Sequence, residues 1–143
     1  MKKVVLIISL LFLLPVFTSV NAQQQADIET MLVEMWPDYD RNDILVLLTG
    51  SVTAVPATVT VPIPETADLN VVARITAENN MVDDVTVDAA IPGEVTFTLT
   101  QDTRFRVEYY DAYEVVDGRN TYTFTWTETI CFVIESFTFT IFR

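Results

Sequence analysis

Glu94-Val95-Thr96-Phe97-Thr98-Leu99-Thr100, followed by Arg104-Phe105-Arg106-Val107-Glu108-Tyr109, decides the fold class. Val95, Phe97 and Leu99 share one side-chain parity, and Glu94, Thr96 and Thr98 share the other. Phe105, Val107 and Tyr109 alternate in the same way with Arg104, Arg106 and Glu108. Successive side chains of a strand point to opposite faces, so each segment sets one face on a core and one in water, the pattern of antiparallel sheet. The pattern continues on both sides. Tyr122, Phe124 and Trp126 alternate with threonines, as do Ala57, Val59, Val61 and Ile63. Val71, Ala73 and Ile75 form a further apolar set, and Val85, Val87 and Ala89 another.

Two segments break the alternation. Ile44-Leu45-Val46-Leu47-Leu48 is apolar on both parities, which predicts a central strand covered on both faces. Phe132 and Ile134 differ in parity from Phe137, Phe139 and Ile141, which predicts a bulge or bend near Glu135-Ser136. Turn chemistry separates the strands. Asp117-Gly118 is a hairpin signal, Pro92-Gly93 suits the centre of a type II turn, and Glu78-Asn79-Asn80 marks a third turn. Ile28, Met31, Leu32, Met35 and Trp36 have helical spacing, but Met31, Val33 and Met35 also fit one face of a strand. The strand is the reading adopted, because an edge strand explains the short link to Ile44. The expected fold is all-β: an antiparallel two-sheet β-sandwich, immunoglobulin-like or jelly-roll, of about eight or nine strands. Its core should contain Val46, Val59, Val61, Ile75, Phe97, Phe105, Val107, Phe124 and Trp126.

The first 22 residues read as a signal peptide helix: Lys2 and Lys3, an apolar run from Val4 to Val16, then Val20-Asn21-Ala22 before Gln23. This divides the chain into a signal peptide, 1–22, and a β-sandwich domain, 23–143. The expected location is secreted or extracytoplasmic, in the cell envelope, with membrane contact only transient and through the signal peptide. Lys2 and Lys3 are the only lysines, so the eight basic residues fall to six arginines against 20 acids, a net charge of −14 after cleavage. Such an excess repels nucleic acid, which is excluded as a partner, and keeps the domain soluble. Cys131 is the single cysteine, so no intrachain disulfide forms; its apolar neighbours predict a buried thiol.

The absence of histidine, and of lysine from 23–143, removes Ser-His-Asp triads, Cys-His pairs, Schiff bases and histidine zinc sites. No catalytic residue is assigned, and the chain reads as no enzyme. Asp38-Tyr39-Asp40-Arg41-Asn42 opens like an EF-hand loop, but Asp43 stands where glycine is required and Thr49 where a bidentate glutamate is required. An EF-hand is excluded. A looser calcium site on Asp38, Asp40 and Asp43 is the one metal expectation, and no other cofactor is expected. Carbohydrate-binding sandwiches stack sugars on exposed rings beside carboxylates. Tyr110 has the outward parity, Tyr113 follows in the next loop, and with Trp36 they are the candidate glycan contacts.

Trp36-Pro37-Asp38-Tyr39-Asp40-Arg41, Val107-Glu108-Tyr109-Tyr110-Asp111 and the aromatic strand Tyr122-Thr123-Phe124-Thr125-Trp126 together carry a resemblance. The chain resembles a family of uncharacterised exported bacterial β-sandwich proteins with W-P-E-Y-D-R and L-E-Y-Y-D segments, Asp38 standing for the usual glutamate. The resemblance implies fold and export, and assigns no site residue. The functional expectation is a non-catalytic structural or protein-interaction module whose partner is a cell-envelope protein. The alternative is a carbohydrate-binding domain, calcium-assisted, whose partner is a glycan.

Overall fold

The structure is a computed structural model that describes residues 26–125 and 136–141. Trp126, Cys131 and the proposed bend at 135 lie outside the described residues. Within them the chain is all strand and turn. The strands are β1 (Ile28–Pro37), β2 (Ile44–Val52), β3 (Ala57–Pro62), β4 (Asp68–Ile75), β5 (Met81–Val82), β6 (Thr86–Ile91), β7 (Glu94–Leu99), β8 (Arg104–Asp111), β9 (Glu114–Val116), β10 (Arg119–Thr125) and β11 (Ser136–Ile141). The ambiguous N-terminal segment is strand β1. Its Met31, Val33 and Met35 pack against the core, as the strand parity required.

All described pairings are antiparallel, and the sheets pack face to face as a β-sandwich. A five-stranded sheet has the order β1-β2-β8-β4-β5. The other strands form separate three-stranded sheets, β3-β7-β6 and β11-β10-β9, rather than one layer of the expected two. The described residues alone form eleven short strands, against the eight or nine expected. The excess arises because the hairpin turns cut the pattern more finely than alternation alone reveals. The long-range pairs set β8 between β2 and β4 and put β3 beside β7.

The turns follow from their residues. Asp117 and Gly118 both have positive φ (51° and 73°), the type I′ geometry that matches strand twist, and they join β9 to β10. Gly93, at φ 95°, closes the β6–β7 turn behind Pro92. Asn79 has φ 64°, and its N–H donates to the Thr76 carbonyl (2.9 Å) to turn β4 into β5.

The core gathers Val46, Leu48, Phe105, Val107 and Tyr109 from the five-stranded sheet. Facing them are Val59, Val61, Val95, Phe97 and Leu99 from β3 and β7, and Tyr122 and Phe124 from β10. Phe97 and Phe105 meet across the sandwich at 5.3 Å between ring centroids, near edge-to-face. Gly50 makes room for this: a Cβ there would run into the Phe105 ring. One expectation is corrected in β4. The register shifts between Leu69 and Val71, so Asn70 is an extra residue. Leu69 and Val72 consequently face the core, while Val71, Ala73 and Ile75 lie opposite Glu108, Arg106 and Arg104 on the outer face. Ile75 is buried, but outside the inter-sheet core.

β2 is buried on both faces, though not between two sheets. Ile44, Val46 and Leu48 enter the core, whereas Leu45 and Leu47 form an outer cluster with Tyr110. Long side chains of neighbouring strands surround that cluster. Arg106, opposite Thr49, donates from Nε to the Thr49 hydroxyl (3.0 Å) and lies 3.8 Å from Glu34 and 4.0 Å from Glu108. Aliphatic stems of charged residues cover apolar surface while their heads stay in water.

Candidate functional site

Pro37 ends β1, and Asp38 turns the chain at φ 51°, a left-handed conformation that aspartate tolerates better than most residues. The loop 38–43 then returns to β2. It is tied from beneath. The Asp38 N–H donates to the Asp43 carbonyl (3.0 Å) and to the Tyr113 hydroxyl (3.1 Å), and that hydroxyl donates to the Asp43 carbonyl (3.1 Å). Tyr113 itself comes from the β8–β9 connection and packs partly against the core.

Arg41 is the second tie. On the outer face, Trp36, Leu45, Tyr110 and Asp68 form one cross-strand row over β1, β2, β8 and β4. The Arg41 guanidinium lies 3.7 Å over the Tyr110 ring, with Nε 2.9 Å from Asp43 and Nη1 donating to Asp68 (2.8 Å). A cation on a ring face is favourable, and more so when flanking carboxylates fix it. The Asp40 carboxylate, ahead of burial, raises the Tyr110 pKa.

What the loop presents is aromatic. Trp36 and Tyr39 are exposed, 42% and 60%, and pack against each other at 5.3 Å with planes tilted by 58°. Beside them is a broad hollow of about 440 Å³, open to solvent and lined by Asp38, Tyr39, Asp40, Arg41 and Asn42.

The three candidate glycan contacts differ in exposure. Tyr110 does have the outward parity but is only 8% exposed, because Arg41 covers its ring. Tyr113 is half-buried with its hydroxyl turned into the loop. Of the trio only Trp36 is exposed, and its partner ring Tyr39 is tilted rather than coplanar. Of the carboxylates named for calcium, Asp43 is held by Arg41, and among the described residues no group of three or more carboxylate, histidine or cysteine side chains is placed to hold a metal ion. Tyr39 and Arg41 were inside the quoted loop sequence, yet nothing local marked one as displayed and the other as a clamp. Their roles depend on Tyr110 and Asp68, residues brought near only by the sheet register.

The far end of the same sheet repeats the chemistry with another result. Arg74 Nε and Nη2 donate to Asp84 (2.7 and 2.9 Å), and its Nη1 donates to Asp102. Asp84 lies between β5 and β6 and Asp102 between β7 and β8, two of the connections that cross between sheets. Arg74 thereby fastens two crossovers, and the bond to it holds the Asp84 carboxyl below its ordinary pKa.

Fold and site together define an all-antiparallel β-sandwich that carries an exposed aromatic pair where β1 meets a tied loop. No protein-family model, curated protein or solved structure matches the chain.

Proposed function

We propose that this chain is an exported, non-catalytic module of the cell envelope that acts by binding another protein through the 38–43 end of its five-stranded sheet. The observation that carries this reading is the Trp36–Tyr39 pair, two large exposed rings, one at the end of β1 and one on the adjoining loop fixed by Tyr113 and Arg41. Exposed aromatics are the residue type that dominates binding energy at protein interfaces, and a loop already held in shape loses less entropy when it binds. The signal-like residues 1–22 and the residue inventory support export and a non-catalytic role. The tilt of the two rings and the burial of Tyr110 speak against sugar stacking.

The test is site-specific photo-crosslinking in the exporting cell, with the probe at Tyr39 and, as a control, at Thr100 on the opposite end. A discrete protein adduct from position 39 and none from position 100 is the expected result. Identical adduct patterns, or none from either, contradict the proposal. Aromatic-dependent binding on a glycan array, with or without calcium, would replace it with the carbohydrate reading.

A further inference from the structure

Resting on that interaction reading, we infer that β1 and the adjoining loop take an extended, cationic segment of the partner, which adds as a strand beside β1 and sets a lysine or arginine over Trp36 and Tyr39. Among the described residues β1 has a neighbouring strand on one side only, β2. A sheet edge presents unpaired N–H and C=O groups, and proteins that do not use such an edge shorten it or place charges and proline along it. β1 runs for ten residues; its register shift, at Glu29, falls at the start and its proline at the last residue. Glu34 is turned onto Arg106. Leu32, in the middle of the strand, is 57% exposed.

The two rows of side chains say what would fit. On the core-facing row of this edge strand Met31, Val33 and Met35 pack on the core and stay half-buried. Apolar residues at alternate positions of an added strand would complete their cover. On the outer row and loop, the rings of Trp36 and Tyr39 stand among negative charges. Residues 26–40 contain Asp27, Glu29, Glu34, Asp38 and Asp40 and no basic residue, and the next one, Arg41, is already held by Asp43 and Asp68. Ring faces and carboxylates both attract cations. The charge also decides against a second copy of this chain, whose own β1 would bring the same acids to the edge. An added strand of alternating apolar and basic residues satisfies both rows at once.

Calorimetric titration of the purified chain with three capped octapeptides tests this: alternating Val-Lys, alternating Val-Glu, and Val-Lys with every second amide N-methylated. Val-Lys should bind, more weakly as salt is raised, because exposed charges are screened. Val-Glu should bind at least about tenfold more weakly, since like charges face each other across the edge. N-methylation should abolish binding by removing the strand's hydrogen bonds. Tyr39→Ala should weaken Val-Lys binding about threefold, the loss expected for one exposed cation–ring contact, and Leu32→Lys should weaken it further. Equal binding of Val-Lys and Val-Glu, equal binding of the N-methylated peptide, or no binding of Val-Lys overturns the inference. A crosslink from position 39 with a silent Val-Lys peptide would sink this inference and leave the interaction reading standing. Absence of any crosslink would sink that reading itself.

Discussion

Each end of the five-stranded sheet carries one arginine held by two aspartates, and the two arrangements serve opposite ends. Arg74, its side chain 15% exposed, ties down Asp84 and Asp102, which sit on two of the connections that cross between sheets. Arg41, 40% exposed, lies on Tyr110 with Asp43 and Asp68, and the loop it holds shows Trp36 and Tyr39 to solvent. The same ion-pair chemistry closes the fold at one end and presents a surface at the other. What separates them is where the partner carboxylates lie: in crossovers that must stay shut, or beside a loop that leads off an edge strand.

The comparison breaks most severely if the shared core is removed. Phe97→Ala deletes the ring that packs on Phe105, and it should cost about 3–5 kcal/mol in urea unfolding and loosen both ends together. If one end survived while the other melted, the two would not share a core.

Alkali should act next, and cooperatively. Burial raises the hydroxyl pKa of Tyr109 and Tyr122 well above the ordinary 10.0. The unfolded chain then gives up these protons at lower pH than the folded chain does. The two tyrosines' contribution is complete below the ordinary tyrosine range and drains away as pH climbs above it. Tyrosinate absorbance should show a late fraction that ionises only as the near-ultraviolet dichroism collapses. A smooth titration of all five tyrosines with the fold intact would contradict the burial.

Between the ends themselves, Arg74→Met should lower the thermal midpoint more than Arg41→Met, because it releases two crossovers instead of one loop. The difference should depend on acid. Asp84 is held below its ordinary pKa of 3.8 by Arg74, so its contribution is present above that value and is lost as pH falls through the lowered one. Midpoints of the unmodified chain and Arg74→Met should therefore converge in acid. A constant gap would mean that Arg74 acts by packing alone. The smallest effect belongs to Tyr39→Ala, which should leave stability within about 0.5 kcal/mol, as surface changes away from special features do. A large loss would move Tyr39 from display to structure.

How much of this was readable beforehand follows from the range of each signal. Period-two alternation is local, so β3, β7, β8 and β10 stand where Val59, Phe97, Phe105 and Phe124 placed them. Turn chemistry is local too, and Asp117-Gly118 and Pro92-Gly93 turn as their residues require. The face of β4 was misread because one extra residue, Asn70, inverts every parity after it, and a bulge leaves no mark on the pattern itself. Tyr110 was misread for a different reason. Outward parity fixes a face, while exposure also depends on what lies over it, and Arg41 reaches Tyr110 from a loop 69 positions earlier in the sequence. The split of the second layer into two sheets is likewise a matter of pairing, which composition cannot reveal.

The distinction between a closing end and a presenting end is tested most directly by amide hydrogen exchange at Asp38 and Val52 in the free chain. Val52 N–H donates to the Thr103 carbonyl (2.9 Å) at the closing end, and Asp38 N–H to Asp43 and Tyr113 at the presenting end. If the loop is held in shape before any partner arrives, both amides exchange slowly, and Tyr113→Phe speeds exchange at Asp38 while leaving Val52 unchanged. Exchange of Asp38 at the rate of an open peptide in the unmodified chain would contradict the account.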